Sequence, residues 1–168
     1  MVLPNTMKRI FPLVLCTFLF LFASVSAVAQ QTVDALDKEI TTVIEDFWTA
    51  LGNFDAEAMK QTFDWPVSIV ESSSKETKNP RVLMLPNDLD KEFSAPRPKS
   101  GHSEFYGTRL SDFKVQMQNP TLALVTYTAT LPASKDPHRE NSFNAIAVLR
   151  KSPLWNQSWK IIFLTVPK

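Results

Sequence analysis

Three segments near the carboxyl end, residues 122–131, 142–151 and 158–166, are rich in strand-forming residues and carry apolar side chains on both faces. Successive side chains on a strand point to opposite faces. In NPTLALVTYTATL, Asn119 to Leu131, one face holds Ala123, Val125, Tyr127, Ala129 and Leu131. The other holds Leu122, Leu124, Thr126, Thr128 and Thr130. In the next segment Phe143, Ala145, Ala147 and Leu149 oppose Asn144, Ile146, Val148 and Arg150. In the last, Trp159, Ile161 and Phe163 oppose Ile162, Leu164 and Val166. A sheet with one wet face alternates apolar and polar residues, as Phe113 to Gln118 does. These three strands instead need cover on both sides.

A helix supplies one cover. Val33, Leu36, Ile40, Val43, Ile44, Phe47, Trp48 and Leu51 recur at spacings of three and four, which draws one apolar stripe along a helix. Asp34 and Asp37 suit its positive amino end, and Gly52 stands where helices commonly stop. A second short helix follows, with Asp55 as N-cap and Phe54 placed to staple onto Met59. Trp65-Pro66 forces extended backbone, and Val67 to Val70 reads as a short strand. Arg81 to Leu85 is the returning strand, and Asn87 to Phe93 a small helix opened by capping residues. Residues 71–80, 94–103 and 131–141 are polar or rich in Pro, Ser and Gly, and read as surface loops. Short connections between the later strands predict an antiparallel meander. There is no internal repeat.

One helix can cover only one face of the sheet. The other face is expected to meet its counterpart in a second copy, giving a homodimer packed sheet to sheet. Leu124 with Ile146 or Val148 would lie at its centre and the threonines toward its rim. Which alternate set faces outward stays open at the level of sequence.

The amino end reads as an export signal. Lys8 and Arg9 precede an apolar run from Ile10 to Phe22, and small residues end in Ala27-Val28-Ala29, an A-x-A cleavage pattern. Pro12 and the small-residue stretch argue against a membrane anchor, which wants about 20 predominantly apolar residues. Leu15 before Cys16 argues against a lipoprotein. Removing 29 of 168 residues leaves one domain of ordinary size, exported to the periplasm or secreted. Lys8 and Arg9 leave with the signal, so 16 of the 18 basic residues then face 17 acidic ones. A near-neutral chain without a basic block gives no reason to expect nucleic acid as a partner. The single cysteine also leaves, and with it any disulfide or thiolate chemistry.

The stretch IEDFWTALGNFDAEAMKQTF resembles the opening helix pair of the nuclear transport factor 2-like (NTF2-like) superfamily, its SnoaL-like branch included. LALVTYTA, AIAVLRK and WKIIFL resemble its last three strands, and the likeness covers nearly all of residues 33–166. It implies an α+β fold: a cone-shaped, curved antiparallel sheet wrapped around an N-terminal helix, with two or three helices in all. It also implies a pocket between that helix and the concave sheet.

Enzymes of this superfamily set an Asp–His or Asp–Tyr pair inside the cone. Here His102 and His138 fall in polar loops and read as solvated. No His and carboxylate spacing suits a metal, nothing calls for a cofactor, and Ser72 to Ser74 reads as solvent-facing. Asn156-Gln157-Ser158 matches a glycosylation sequon, to which little weight attaches. Tyr127 stands mid-strand among small residues, and Asp64 ends the second helix beside Trp65. A core tyrosine with a satisfied hydroxyl is the commoner use of such a residue, and a surface aspartate of the other. The ligand-binding candidates are Trp48, Trp65, Tyr106, Arg109 and Tyr127, with Tyr106 and Arg109 placed to meet an anion near the open end. The first expectation is binding of a small, partly apolar molecule without a clear catalytic set. The alternatives are SnoaL-like proton transfer, as in an isomerase, cyclase or dehydratase, with Tyr127 as donor and Asp64 as base, or a dimeric interaction protein without a working pocket. The export reading makes a firm prediction: intact mass of the exported protein should place its first residue at Gln30, and retention of residues 1–29 or a lipid on Cys16 would contradict it.

Overall fold

The computed structural model describes residues 34–72, 81–92, 101–132 and 142–167. The expected signal segment, His138, Ser73, Ser74 and much of the three expected loops lie outside those residues. The chain divides after Lys38 into two units, and the sheet belongs wholly to the second, Glu39–Lys168.

The first helix, α1, spans 34–52. From Glu39 onward its buried face is Ile40, Ile44, Phe47, Trp48 and Ala50, the stripe that the 3.6-residue period requires. Gly52 is the last helical residue, but a different residue takes the left-handed turn beyond it. Phe54 has φ 54°, and the amide of Asp55 returns to the Ala50 carbonyl at 2.9 Å, closing the helix end much as glycine usually does. Gly52 is needed for another reason: a Cβ there would stand 3.0 Å from Tyr106 Cα. Asp55 then caps α2 (Ala56–Thr62), accepting from the Ala58 amide at 2.9 Å.

Strand β1 (Phe63–Ser72) begins four residues earlier than the sequence suggests. Strand β2 (Arg81–Leu83) is shorter than expected, because the Asp88 carboxylate accepts the amides of Met84 and Leu85, both at 3.1 Å. Those donors are thereby lost to a sheet ladder, and helix α3 (Pro86–Glu92) starts instead. Strands β3 (Arg109–Asn119), β4 (Leu122–Thr130), β5 (Ser142–Lys151) and β6 (Trp159–Pro167) complete one sheet in the order β2-β1-β6-β5-β4-β3. The last four form the expected antiparallel meander. The sheet as a whole is mixed, because β1 runs parallel to β6. Parallel neighbours need a long connection, and the whole of β2 to β5 lies between these two.

The register decides the parity left open by sequence. Ala123, Val125, Tyr127 and Ala129 are buried, as are Ala145, Ala147 and Leu149 opposite them. Leu122, Leu124, Thr126 and Thr128 face the other way. Among the register shifts, two within the meander break the simple alternation most visibly. On β6 the pairing passes from Phe163–Val148 to Ile161–Leu149, leaving Ile162 as the extra residue. The buried set is consequently Trp159, Ile161 and Leu164, and Phe163 does not continue it. On β3 the slip falls between Ser111 and Lys114, at Asp112, whose φ is 56°.

Asp64 follows Phe63, whose ring meets Phe47 of α1 at 5.6 Å, so its side chain points to the opposite face of the sheet. There it is buried, and both of its oxygens are engaged. Arg150 contacts Oδ2 through Nε at 2.8 Å and through its terminal nitrogen at 2.6 Å, and the Ser152 hydroxyl donates to Oδ1 at 3.0 Å. A buried carboxylate needs such partners, so this aspartate ties β1 to β5 instead of standing ready as a base. Lys160 lies nearby and donates to the Gln61 carbonyl; burial lowers its pKa, against the opposing pull of Asp64 and Asp46.

Candidate functional site

Consecutive residues of a helix point about 100° apart, and Phe47 and Trp48 use that angle to reach two parts of the sheet. Trp48 turns toward β4 and β5. Its indole N–H donates to the Tyr127 hydroxyl at 3.0 Å, and its ring packs against Phe143 at 5.9 Å and edge-on to Phe105 at 6.0 Å. Phe113 stacks on Tyr127 at 5.4 Å. The space that Ala123 and Ala129 suggested beside Tyr127 is therefore occupied by aromatic rings. Burial raises the Tyr127 pKa to about 12, against the hydrogen bond from Trp48, which lowers it. A phenol so hard to ionise is a structural acceptor.

Phe47 turns the other way, toward Phe63 and a cavity of about 500 Å³. Leu51 and Phe47 of α1 form one wall, joined by Phe54, held in its left-handed conformation, and by Met59 of α2. Ile69, Leu83, Leu89 and the end of β6 at Val166 and Pro167 form the other. Phe105 also lines the cavity. The polar lining consists of Glu71 and Arg81, which pair at 2.6 Å, with Ser103 and Glu104. An apolar chamber of this size with a few convergent polar groups is the ordinary form of a small-molecule site. Left-handed conformations of bulky residues cluster at such places.

The expected site residues are scattered by comparison. Trp48 and Tyr127 meet, but as the aromatic plug beside the cavity. Tyr106 is half exposed and its ring stacks on His102 at 3.7 Å. It borders a second, more polar groove of about 450 Å³, with Glu45, Trp48 and Thr108. Trp65 packs edge-on against Phe63 at 5.5 Å, and Arg109 lies exposed at the start of β3, paired in register with Thr130. Asp64 is on the far face. The residues that do enclose the cavity, Leu51, Phe54, Met59, Leu83 and Leu89, gave no signal beyond being apolar. Among the described residues no three His, Cys, Asp or Glu side chains converge to hold a metal.

No family model matches this sequence, and no curated protein does. Solved structures do resemble it. A cystatin-like-fold protein of unknown function from Nostoc punctiforme is 22% identical, with a TM-score of 0.56 over 79% of this chain and 91% of that one. The S. rosetta CaMKII hub is 18% identical, at 0.56 over 76% and 92%. A candidate ketosteroid isomerase from Shewanella frigidimarina is 13% identical, at 0.53 over 76% and 93%. Others are described as NTF2-like proteins of unknown function.

The Tyr127 geometry makes a prediction. The chain has two tyrosines, and spectrophotometric titration should show one of them ionising only near pH 12. Its neutral form is favoured in the folded state, so its contribution to stability is full below pH 10 and is lost as pH rises through about 12. Tyr127→Phe should remove that late ionisation and this part of the alkaline loss. It should also cost about 1 kcal/mol at neutral pH, because the Trp48 N–H loses its acceptor. Ionisation of both tyrosines near the free value would contradict the assignment.

Proposed function

We propose that this chain, which has the NTF2-like fold, is an exported domain that binds a small, partly apolar molecule in the cavity between Phe47 and Leu89. The carrying observation is the cavity itself: mostly apolar in its lining, with the Glu71–Arg81 pair and Ser103 among the few polar groups. The apolar body of a ligand would lie among Leu51, Met59 and Leu83, with its polar end toward Arg81 and Glu71. Export rests on the amino-terminal sequence.

The reading without catalysis is supported by the placement of the two residues that a proton-transfer reaction would have used. Tyr127 is on the inner face and committed to Trp48; Asp64 is on the outer face and committed to Arg150 and Ser152. One substrate cannot meet both. Fold alone does not decide the matter, since one fold serves many functions.

The outer face favours a second element of the reading, a homodimer. The register sets Gln116, Leu124, Val148 and Phe163 in one row across four strands, and Ile146 beside them is 40% exposed. Three apolar side chains in a row on a sheet face are a surface for a second copy.

Two measurements test these proposals. An environment-sensitive apolar dye should bind the folded protein one to one, and Val166→Trp on the cavity wall should weaken it at least about tenfold, with the melting temperature little changed. Equal dye binding by the variant would contradict the site. Light scattering after size exclusion should find a dimer that Leu124→Glu splits into monomers, because a buried unpaired charge is costly. A wild-type monomer at micromolar concentration would end the dimer proposal.

A further inference from the structure

The turn joining β5 to β6 combines three properties that neither the cavity nor the outer sheet face uses. Its apex is apolar and exposed: Pro153–Trp155 forms one 3-10 turn, in which Leu154 is 84% exposed and Trp155 50%. Large apolar side chains so fully in water are uncommon without a partner when they stand side by side.

Several backbone amides of the turn are paired within it. The amides of Trp155 and Gln157 donate to the Ser152 carbonyl, at 3.3 and 3.1 Å. Ser158 donates to the Trp155 carbonyl and Ser152 to the Ser158 carbonyl, both at 3.0 Å. Pro153 has no amide hydrogen. The Ser158 hydroxyl donates to the Trp155 carbonyl, and that of Ser152 to Asp64. Left-handed Asn156 and Gln157, at φ 54° and 62°, are what close the loop so tightly. The turn therefore supplies much of its own hydrogen bonding.

Its flanks are basic. RKSPLWNQSWKI, residues 150–161, holds three cations and no acid. Lys160 Nζ stands 5.7 Å from the Trp155 ring, and Lys151 Nζ 5.4 Å from that of Trp159. The acids that act on them from other elements are Asp64, paired with Arg150, and Asp46, which acts on Lys160. Three cations against two acids leave a positive excess beside an apolar tip.

We propose that this turn seats the protein on an anionic phospholipid surface. Leu154 and Trp155 enter the boundary between headgroups and acyl chains, and Lys151 faces the lipid phosphates, while Lys160 keeps its bond to the Gln61 carbonyl. Each property fits that partner. Hydrocarbon offers no hydrogen bonds, and a turn that pairs the amides of Trp155, Gln157 and Ser158 within itself meets the headgroup boundary at lower cost than an open loop. Tryptophan, with an apolar ring and one polar N–H, favours the interface. A small apolar anchor alone holds weakly and needs a second, electrostatic signal, which Lys151 and the positive excess of the flanks supply. The contact is a surface one: among the described residues no helix is long and apolar enough to cross a membrane.

The test uses the full chain with phosphatidylglycerol and phosphatidylcholine vesicles, at low and high salt. Residues 1–29 are themselves apolar, so the readouts are differences between wild type and variants of the tip. Wild type should sediment with the anionic vesicles, far less with the neutral ones, and lose binding as salt rises. Leu154→Asp, at a fully solvated position, should lower anionic binding on the order of tenfold with unchanged circular dichroism. Brominated acyl chains should quench a component of the emission that is missing in Trp155→Phe. Equal sedimentation of Leu154→Asp, no quenching of Trp155, or equal binding to neutral vesicles would each overturn the proposal.

Discussion

The hydrogen bond from Trp48 to Tyr127 joins α1 to β4 across a sequence separation of 79, and the interior is arranged around it. Phe105, Phe113 and Phe143 surround the pair. Such a bond contributes about 1 kcal/mol and each aromatic contact about 0.5–1.5 kcal/mol beyond its buried area. The larger consequence is geometric. With Trp48 held against β4 and β5, the neighbouring Phe47 is aimed at β1, and α1 lies at one depth over the sheet. One part of the inner face is sealed by rings. The remainder, from Leu51 to Leu89, is left unfilled by the side chains that line it, and there the cavity remains.

The outer face answers a different constraint. On the same side, the buried Asp64 is held by the half-exposed Arg150 and by Ser152. Removing Arg150 would leave the buried carboxylate without its charged partner, which is strongly destabilising. This set thus works as a fixed strut between β1 and β5, next to the turn that carries Leu154 and Trp155. Cavity, outer row and turn lie on separate parts of the sheet, so ligand binding, self-association and surface attachment need not compete.

Much of this was legible in the sequence. The stripe from Ile40 to Leu51 identified α1 and its buried face, and the strand-forming segments near the carboxyl end announced the antiparallel meander. Asp55 and Asn87-Asp88 marked the starts of α2 and α3. What failed has physical reasons. A bulge reverses parity with little trace, so Ile162 shifted Phe163 out of the buried series; Asp112, a residue type that tolerates left-handed backbone, was the only hint of the other. Parallel pairing of β1 with β6 leaves no local signal, because it depends on where the chain enters the sheet. Small residues around Tyr127 suggested space, but space depends on what faces them, and Phe113, Phe105 and Phe143 come from elsewhere in the chain. Asp64 looked available because its partners, Arg150 and Ser152, are more than 80 residues away. Leu83 and Leu89 could not be told from the exposed Met84 and Leu85 until Asp88 fixed the turn between them.

The central claim is that the aromatic plug divides the interior into a filled part and an empty one, and that the empty part takes an apolar guest. Crystals of the protein equilibrated with xenon under pressure would test it without presuming any ligand, because xenon enters pre-formed apolar space. The account predicts xenon density enclosed by Leu51, Met59, Leu83 and Leu89, and none beside Tyr127. Density between Tyr127 and Ala129, with none near Leu89, would contradict it.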